Sequence, residues 1–273
     1  MTETYAARDP ADGATGAAPQ AGNRWRKATL IGLRSQSRCS RTLALRVPGW
    51  PGHLPGQHVD VRLTAADGYT AQRSYSLAEA STPNRVAVTV DLLPHGEVSP
   101  YLVTTMEIGD ELDVRGPIGR WFVWEPGDPV IGNGPVLLIA GGSGIVPLVT
   151  MLQARKRARD LTPTMLVYSL RDPQNLMYRR ELEEMSADLL AAGTAEVRLV
   201  YTRRAPDGHP RPASRLASED LRPPPEWPEP MAARVYACGP SGFVDHATAL
   251  LRKTGYPDHR IRTERFGPTG DDP

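Results

Sequence analysis

The sequence predicts a β fold followed by an α/β fold. Three observations predict it. Between about Trp25 and Trp124, short alternating apolar segments are separated by Pro-Gly and Asp-Gly turns, as in an antiparallel barrel or sandwich of about six strands. From Val136 onward, continuous apolar runs alternate with helical segments, which demands a parallel sheet with crossovers. Between the two, residues 126–135 are rich in proline and glycine, the composition of a domain boundary.

Residues 1–22 are rich in Ala, Gly, Thr, Asp and Pro without hydrophobic periodicity, and are expected to be a disordered tail. The first unit then spans 23–125. Its expected strands are Trp25–Leu33, Thr42–Val47, Gln57–Leu63, Tyr69–Leu77, Arg85–Leu92 and Asp110–Val114. Val59, Val61 and Leu63 share one face of the third, and Val86, Val88 and Val90 one face of the fifth, because side chains alternate with period two. Asp67-Gly68 is a hairpin turn. A short helix is expected over Ser99–Thr104, with Ser99 as N-cap and Pro100 at the first helical position.

The second unit spans 136–273. Val136–Ala140, Met165–Leu170, Val197–Tyr201, Val235–Ala237 and Ile261–Glu264 are its expected strands. Helices are expected from Gly144 to about Arg159, over Tyr178–Ala191 with Leu182, Met185 and Leu189 on one face, and over Pro240–Lys253. The irregular run Thr202–Arg215 is a candidate ligand loop.

Composition removes several function classes. The net charge of +1 argues against a general nucleic-acid or membrane-surface binder. The two cysteines, Cys39 and Cys238, are spaced for neither zinc nor an iron–sulfur cluster, and the histidines form no metal pattern. No stretch of about 18 apolar residues exists, so no membrane span is expected. The N-terminus has no apolar signal core, which points to the cytoplasm.

Chemistry concentrates in five places. Arg73-Ser74-Tyr75-Ser76 closes a strand. An arginine fork can grip a phosphate or pyrophosphate, a tyrosine two residues on offers a flat ring, and a serine offers a hydroxyl. That set suits a flavin dinucleotide. Gly96-Glu97-Val98-Ser99 is a glycine turn feeding a helix start. Gly141-Gly142-Ser143-Gly144 lies between a strand and a helix, where free N–H groups and the helix dipole favour a pyrophosphate. Cys238-Gly239-Pro240 lies at the carboxyl end of a parallel strand, where open α/β sheets bind ligands. Glu264-Arg265-Phe266 ends another such strand.

In order, Pro55-Gly56-Gln57, Arg73-Ser74-Tyr75-Ser76, Gly96-x-Val98-Ser99, Arg115-Gly116-Pro117-x-Gly119, Gly141-Gly142-Ser143-Gly144-Ile145-x-Pro147, Cys238-Gly239-Pro240 and Glu264-x-Phe266 resemble the ferredoxin–NADP reductase family over residues 24–267. The resemblance implies a six-stranded flavin-binding barrel and a parallel-sheet NAD(P)-binding domain. It implies that Arg73 takes the flavin pyrophosphate, Tyr75 packs on the ring, and Ser76 lies near its N5. It further implies that Ser74 belongs to the flavin site, with the backbone at Val90 and Leu92 meeting the ring's polar edge. Gly96, Val98 and Ser99 would hold the pyrophosphate, and Phe266 would close the far face. Gly141, Gly142, Ser143, Gly144 and Pro147 would hold the nicotinamide nucleotide, with Gly239, Pro240 and Cys238 beside its ring. Ser76, Cys238 and Glu264 would be the catalytic set.

FAD is the expected flavin, with FMN the alternative. Thr202-Arg203, with Arg211 further on and Arg171 near the ribose, favours NADPH over NADH. The resemblance implies an NAD(P)H-dependent flavoprotein oxidoreductase without a fused iron–sulfur domain. It would pass single electrons to a ferredoxin, an oxygenase or another redox partner. A reductase of free flavin or another small acceptor, and a non-catalytic redox-sensing subunit, are the alternatives. The clusters Arg34-Arg38-Arg41 and Arg155-Lys156-Arg157-Arg159 are candidates for steering an acidic carrier.

Overall fold

The computed structural model describes residues 24–127, 134–192, 195–225, 227 and 230–267. The expected tail at 1–22, residues 128–133 of the expected linker and the Leu189 side chain lie outside the described set. Six strands form the first sheet: β1 (Trp25–Ser35), β2 (Ser40–Arg46), β3 (His58–Thr64), β4 (Thr70–Ser76), β5 (Arg85–Asp91) and β6 (Glu111–Ile118). They pair in the order β4-β3-β6-β1-β2-β5, all antiparallel. A bridge between Leu77 and Val88, with the Ala78 N–H donating to the Ala87 carbonyl at 2.8 Å, draws the two edges together. Val59, Val61, Val86, Val88 and Val90 meet Leu30, Leu43 and Leu45 inside. Each such aliphatic side chain contributes about 1.5–3 kcal/mol by leaving water.

The second sheet is parallel, in the order β11-β10-β7-β8-β9. Its strands are β7 (Val136–Gly141), β8 (Thr164–Leu170), β9 (Ala195–Tyr201), β10 (Arg234–Pro240) and β11 (Ile261–Phe266). Every residue of β7 and β8 is buried, because α1 (Ile145–Ala158), α2 (Arg179–Ala192) and α3 (Ser241–Lys253) accompany a sheet covered on both faces.

The expected short helix is present over Ser99–Thr105, with Tyr101–Thr105 as a π-turn, but its cap differs: the π-turn has Pro100 as N-cap without a side-chain cap. Ser99 is not a cap because its hydroxyl accepts the Leu93 N–H at 3.0 Å. It closes the preceding turn rather than opening a helix.

The halves meet along β5. Its second face, at Ala87, joins Ala78, Trp124, Tyr168 and Tyr178 in the core of the parallel-sheet half. Beside it, Gln36 Nε2 donates to Thr42 Oγ1 at 2.7 Å, Thr42 and Thr89 share a hydrogen bond of 2.7 Å, and Thr89 shares another with the Tyr178 hydroxyl. The Tyr178 N–H donates back to Gln36 Oε1 at 3.1 Å. Tyr178 stands at φ +56°, a conformation that costs a non-glycine residue of order 1–3 kcal/mol. The buried hydroxyl chain holds it there. Tyr178→Phe removes one hydroxyl and leaves the Thr42–Thr89 bond, so it should cost about 1 kcal/mol in denaturant unfolding. Thr89→Val removes a hydroxyl that bonds both Thr42 and Tyr178, two bonds rather than one, and should cost more, about 1–3 kcal/mol. The reverse order would contradict this reading of the seam.

Candidate active site

β4 is an edge strand, and its exposed end carries the anion chemistry. Arg73 is exposed and donates to the Glu97 carboxylate at 3.1 Å, while the Tyr69 hydroxyl donates to its other oxygen at 2.8 Å. Two donors from the β3–β4 hairpin thus converge on one anion. The N–H groups of Glu97, Val98 and Ser99 find no acceptor among the described residues. The Gly96 N–H is committed to the Leu93 carbonyl at 2.9 Å, Val98 is buried, and the Ser99 hydroxyl is committed to Leu93. What remains for a phosphate is the guanidinium, the phenol and that short run of N–H groups. A carboxylate already sits on two of them, so the donor set fits the phosphate end of a flavin. Tyr75, on the same face as Arg73, is half-buried against the barrel core. Burial pushes its phenol up to about 12, against the opposing pull of Arg73, so the ring stays neutral.

Ser74 points the other way. Its hydroxyl donates to Asp60 Oδ1 at 2.6 Å, and Arg115 grips Asp60 Oδ2 at 2.6 Å while stacking over Trp25 at 4.8 Å. Alternation puts this side chain on the opposite face of β4 from Arg73, in a structural ion pair, so only its backbone is left for a cofactor. Burial raises the Asp60 carboxyl, but Ser74, Arg115 and His58 outweigh it, and the net shift is downward.

The polar edge of β5 is offset by one residue from the expected one. The Leu92 N–H donates to the carbonyl of Cys39, the residue before β2, at 2.8 Å, and Val90 pairs with Arg41 in the same register. The backbones of Val90 and Leu92 therefore face β2. The Ala87 carbonyl faces the opposite edge, so Thr89 and Asp91 present the outward backbone groups by period two. Burial raises the Asp91 carboxyl, opposed by Arg171.

The glycines after β7 divide by role. A Cβ on Gly144 would lie 2.0 Å from the Cys238 carbonyl, and one on Gly141 would lie 2.4 Å from the Phe243 ring. Gly144 is bare so that the turn can lie on β10, and Gly141 so that the Phe243 ring of α3 can lie on β7. Gly142, at φ +53°, has nothing within 4 Å of that position, and it opens the turn outward with half-buried Ser143. Pro147 is buried inside the first turn of α1, and so is a packing residue. Neither α1 nor α3 has a side-chain cap at its N-terminus. Two helix ends that follow Gly142-Ser143 and Gly239-Pro240 are therefore left for a dinucleotide's phosphates.

Cys238 is fully buried, and burial with the Glu264 charge holds its thiol well above the ordinary range, so it stays protonated. Cys238 and Glu264 are register partners on β10 and β11, with Sγ 4.0 Å from Oε2. Phe266 lies half-buried beyond them against the same core. The sequence reading missed His58. Its Nδ1 lies 3.3 Å from Glu264 Oε1, and its register partner on β4 is Ser76. A two-residue turn at Asp67-Gly68 would place His58 opposite Leu77, and the observed register, with Thr64 opposite Thr70, is one residue off that. No spacing in the chain announces that His58 meets Glu264.

Arg171, Thr202, Arg203 and Arg204 gather at the ends of β8 and β9, where the Arg203 and Arg204 N–H groups both donate to the Arg171 carbonyl, at 3.0 and 3.2 Å. Arg211 is not among them. Its guanidinium is held by Asp220 at 2.7 Å and by the Ser214 and Arg215 carbonyls, and it staples the loop. The expected basic clusters also thin out, since Arg34 pairs with Glu181 and buried Arg155 donates to the Thr162 carbonyl at 3.0 Å.

Known proteins agree with this architecture. The oxidoreductase FAD-binding domain family matches residues 28–123, and the oxidoreductase NAD-binding domain family matches residues 138–249. The chain carries an FAD-binding and an NAD-binding oxidoreductase domain in that order, in the fold of the ferredoxin NADP+ reductases. A ferredoxin NADP+ reductase from Neisseria gonorrhoeae, solved with FAD and NADP, shares the fold with a TM-score of 0.69 at 20% identity, covering 88% of this chain and 98% of that one. Among curated relatives, an NADPH oxidoreductase of Mycobacterium tuberculosis is 28% identical over 87% of this chain and 59% of its own length. The glycine betaine monooxygenase reductase subunit of Chromohalobacter salexigens is 29% identical over 80% of this chain and 57% of its own. The chain thus spans somewhat more than half the length of these curated relatives.

Two outcomes follow for this chain. Glu97→Gln frees Arg73 from a surface ion pair worth about 0.2–1 kcal/mol, so flavin should bind roughly two- to fivefold tighter by fluorescence titration, and Arg73→Ala should weaken it. Unchanged affinity in both variants would remove Arg73 from the site. Asp60 has a folded pKa below its unfolded one, so its stabilisation is full above about pH 4 and is lost as pH falls further. Melting temperature between pH 5 and pH 2 should therefore fall less steeply in Asp60→Asn than in wild type.

Proposed function

We propose that this chain takes hydride from NADPH onto bound FAD and passes single electrons to a separate redox protein. The chain from which that partner comes is of the kind named in the relatives: an oxygenase component, a ferredoxin or a similar carrier. The observation that carries the reading is the contact of His58, register partner of Ser76 on the barrel, with Glu264, register partner of Cys238 on the parallel sheet, in a chain that also has an anion seat at Arg73 and two helix ends without side-chain caps. A division at residues 126–135 separates the two binding units.

Bound flavin supplies the conversion of a two-electron donor into single electrons. The chain's own residues bind and orient. Arg73 and the N–H groups at Glu97–Ser99 hold the phosphate end, and the neutral Tyr75 ring gives an apolar wall. The Ser76 hydroxyl is placed to donate a hydrogen bond to the flavin N5. The helix ends after Gly142-Ser143 and Gly239-Pro240 take the phosphates of the nicotinamide nucleotide. Protonated Cys238 is an uncharged contact for its ring, and Glu264 is the carboxylate that can hold a proton there. Asp91 and Thr89, rather than Val90 and Leu92, offer the polar edge of β5.

NADPH is favoured because Arg203 and Arg204 have no ion-pair partner among the described residues, at the loop where a 2′-phosphate would lie. No described helix is long and apolar enough to cross a membrane, and we place the work in the cytoplasm, where reduced nucleotide is supplied. A second reading, reduction of free flavin, gains from Glu97. A carboxylate competing for Arg73 suits a flavin that exchanges.

Flavin released from the purified protein should be FAD, and anaerobic NADPH should bleach the bound flavin at lower concentration than NADH. Arg203→Ala should raise the apparent Kd for NADPH about 10- to 100-fold, the worth of a charged hydrogen bond, and leave NADH unchanged. Arg211→Ala should instead lower stability. Equal effects on both nucleotides would overturn the NADPH assignment, and a protein that takes up no flavin would overturn the function.

A further inference from the structure

His58 belongs to the barrel and Glu264 to the last strand of the parallel sheet, yet their side chains meet at 3.3 Å. Both are largely covered, with 25% and 20% of their side chains exposed, so the contact is better shielded than a surface ion pair. Each also has a neighbour fixed by backbone register. His58 pairs with Ser76 across β3–β4, and Glu264 pairs with Cys238 across β10–β11. The four residues form a chain, Ser76–His58–Glu264–Cys238, in which the His58–Glu264 contact is the one link between the halves. The carboxylate is divided accordingly: Oε1 goes to His58, and Oε2 is turned to the Cys238 thiol.

The barrel is built to hold the imidazole in this place. Gly119, at φ +98°, lies beside the ring: a Cβ there would stand 3.5 Å from His58 Nδ1, in ordinary van der Waals contact. Gln57 Nε2 donates to the Gly119 carbonyl at 2.7 Å and ties that loop to the start of β3. β6 flanks His58 on its other side through Ile118. An imidazole so seated is a rigid donor rather than a mobile surface group.

We infer that His58 is a positioning residue of the reductive site. It holds Glu264 across the domain boundary, and so sets Ser76 of the barrel and Cys238 of the sheet opposite one another. The inference rests on the flavin and nicotinamide reading for its catalytic meaning, but the contact itself is independent of any bound group. Reacting groups lose rate steeply when misplaced, whereas the phosphate seats that hold the nucleotide lie elsewhere in the cleft.

The test uses His58→Phe, which removes the donor, and His58→Asn, whose amide can stand in for Nδ1. In stopped-flow reduction by NADPH, His58→Phe should slow the limiting rate about 10- to 100-fold with the nucleotide Kd changed by no more than about twofold. His58→Asn should recover most of that rate. A wild-type rate in His58→Phe, or equal loss in both variants, would overturn the inference. The flavin-free full chain gives a second readout. Melting temperatures of His58→Phe, Glu264→Gln and the double variant should be non-additive, and additive shifts would overturn the contact. A wild-type protein that binds no flavin would fail the functional reading while leaving this cycle intact, so the two failures are distinguishable.

Discussion

Strand β5 is covered on both faces, and the relation between the two halves depends on that double burial. Val86, Val88 and Val90 fill the barrel, and Ala87 on the opposite face joins the core of the parallel sheet. Small and hydroxylated residues stand on that second face. Ala87 lets the halves approach, and Thr89 supplies the hydroxyl that Tyr178 needs once it is buried. A purely apolar seam would allow sliding. The chain Gln36–Thr42–Thr89–Tyr178 has directions and lengths, so it sets a single register between barrel and sheet.

That register also sets a second contact between the halves. Ser76 on β4 and Cys238 on β10 are far apart in sequence and lie on separate sheets. Their register partners, His58 and Glu264, meet at 3.3 Å. The charges follow the same division of labour. Arg73 and the arginines after β8 and β9 are left exposed. Those tied into packing, Arg115 on Asp60 and Arg211 on Asp220, are already neutralised.

The strands and the order of the two units were legible because burial writes itself into the sequence as a period. Alternation marked the barrel strands, and unbroken apolar runs marked the covered parallel sheet. The sequence also marked Arg73-x-Tyr75 and the glycines before helices as candidate phosphate-facing ends. What stayed hidden depends on contacts between distant residues. Gly141 and Gly144 read as ligand glycines, yet their missing side chains make room for Phe243 and the Cys238 carbonyl. Val90 and Leu92 read as a polar edge, but the parity of β5 is decided by its pairing with β2. Ser99 read as a cap because nothing local reveals that Leu93 takes its hydroxyl. Arg211 and Arg203 look alike in sequence, and Asp220 separates them.

The most direct test of the shared cleft is a crystal structure of the chain with flavin and oxidised NADP bound. The account requires Arg73 to have left Glu97 for a flavin phosphate, with both rings stacked in the seam between Tyr75 and Cys238. It is contradicted if Glu97 still sits on Arg73 while the flavin ring lies outside the cleft.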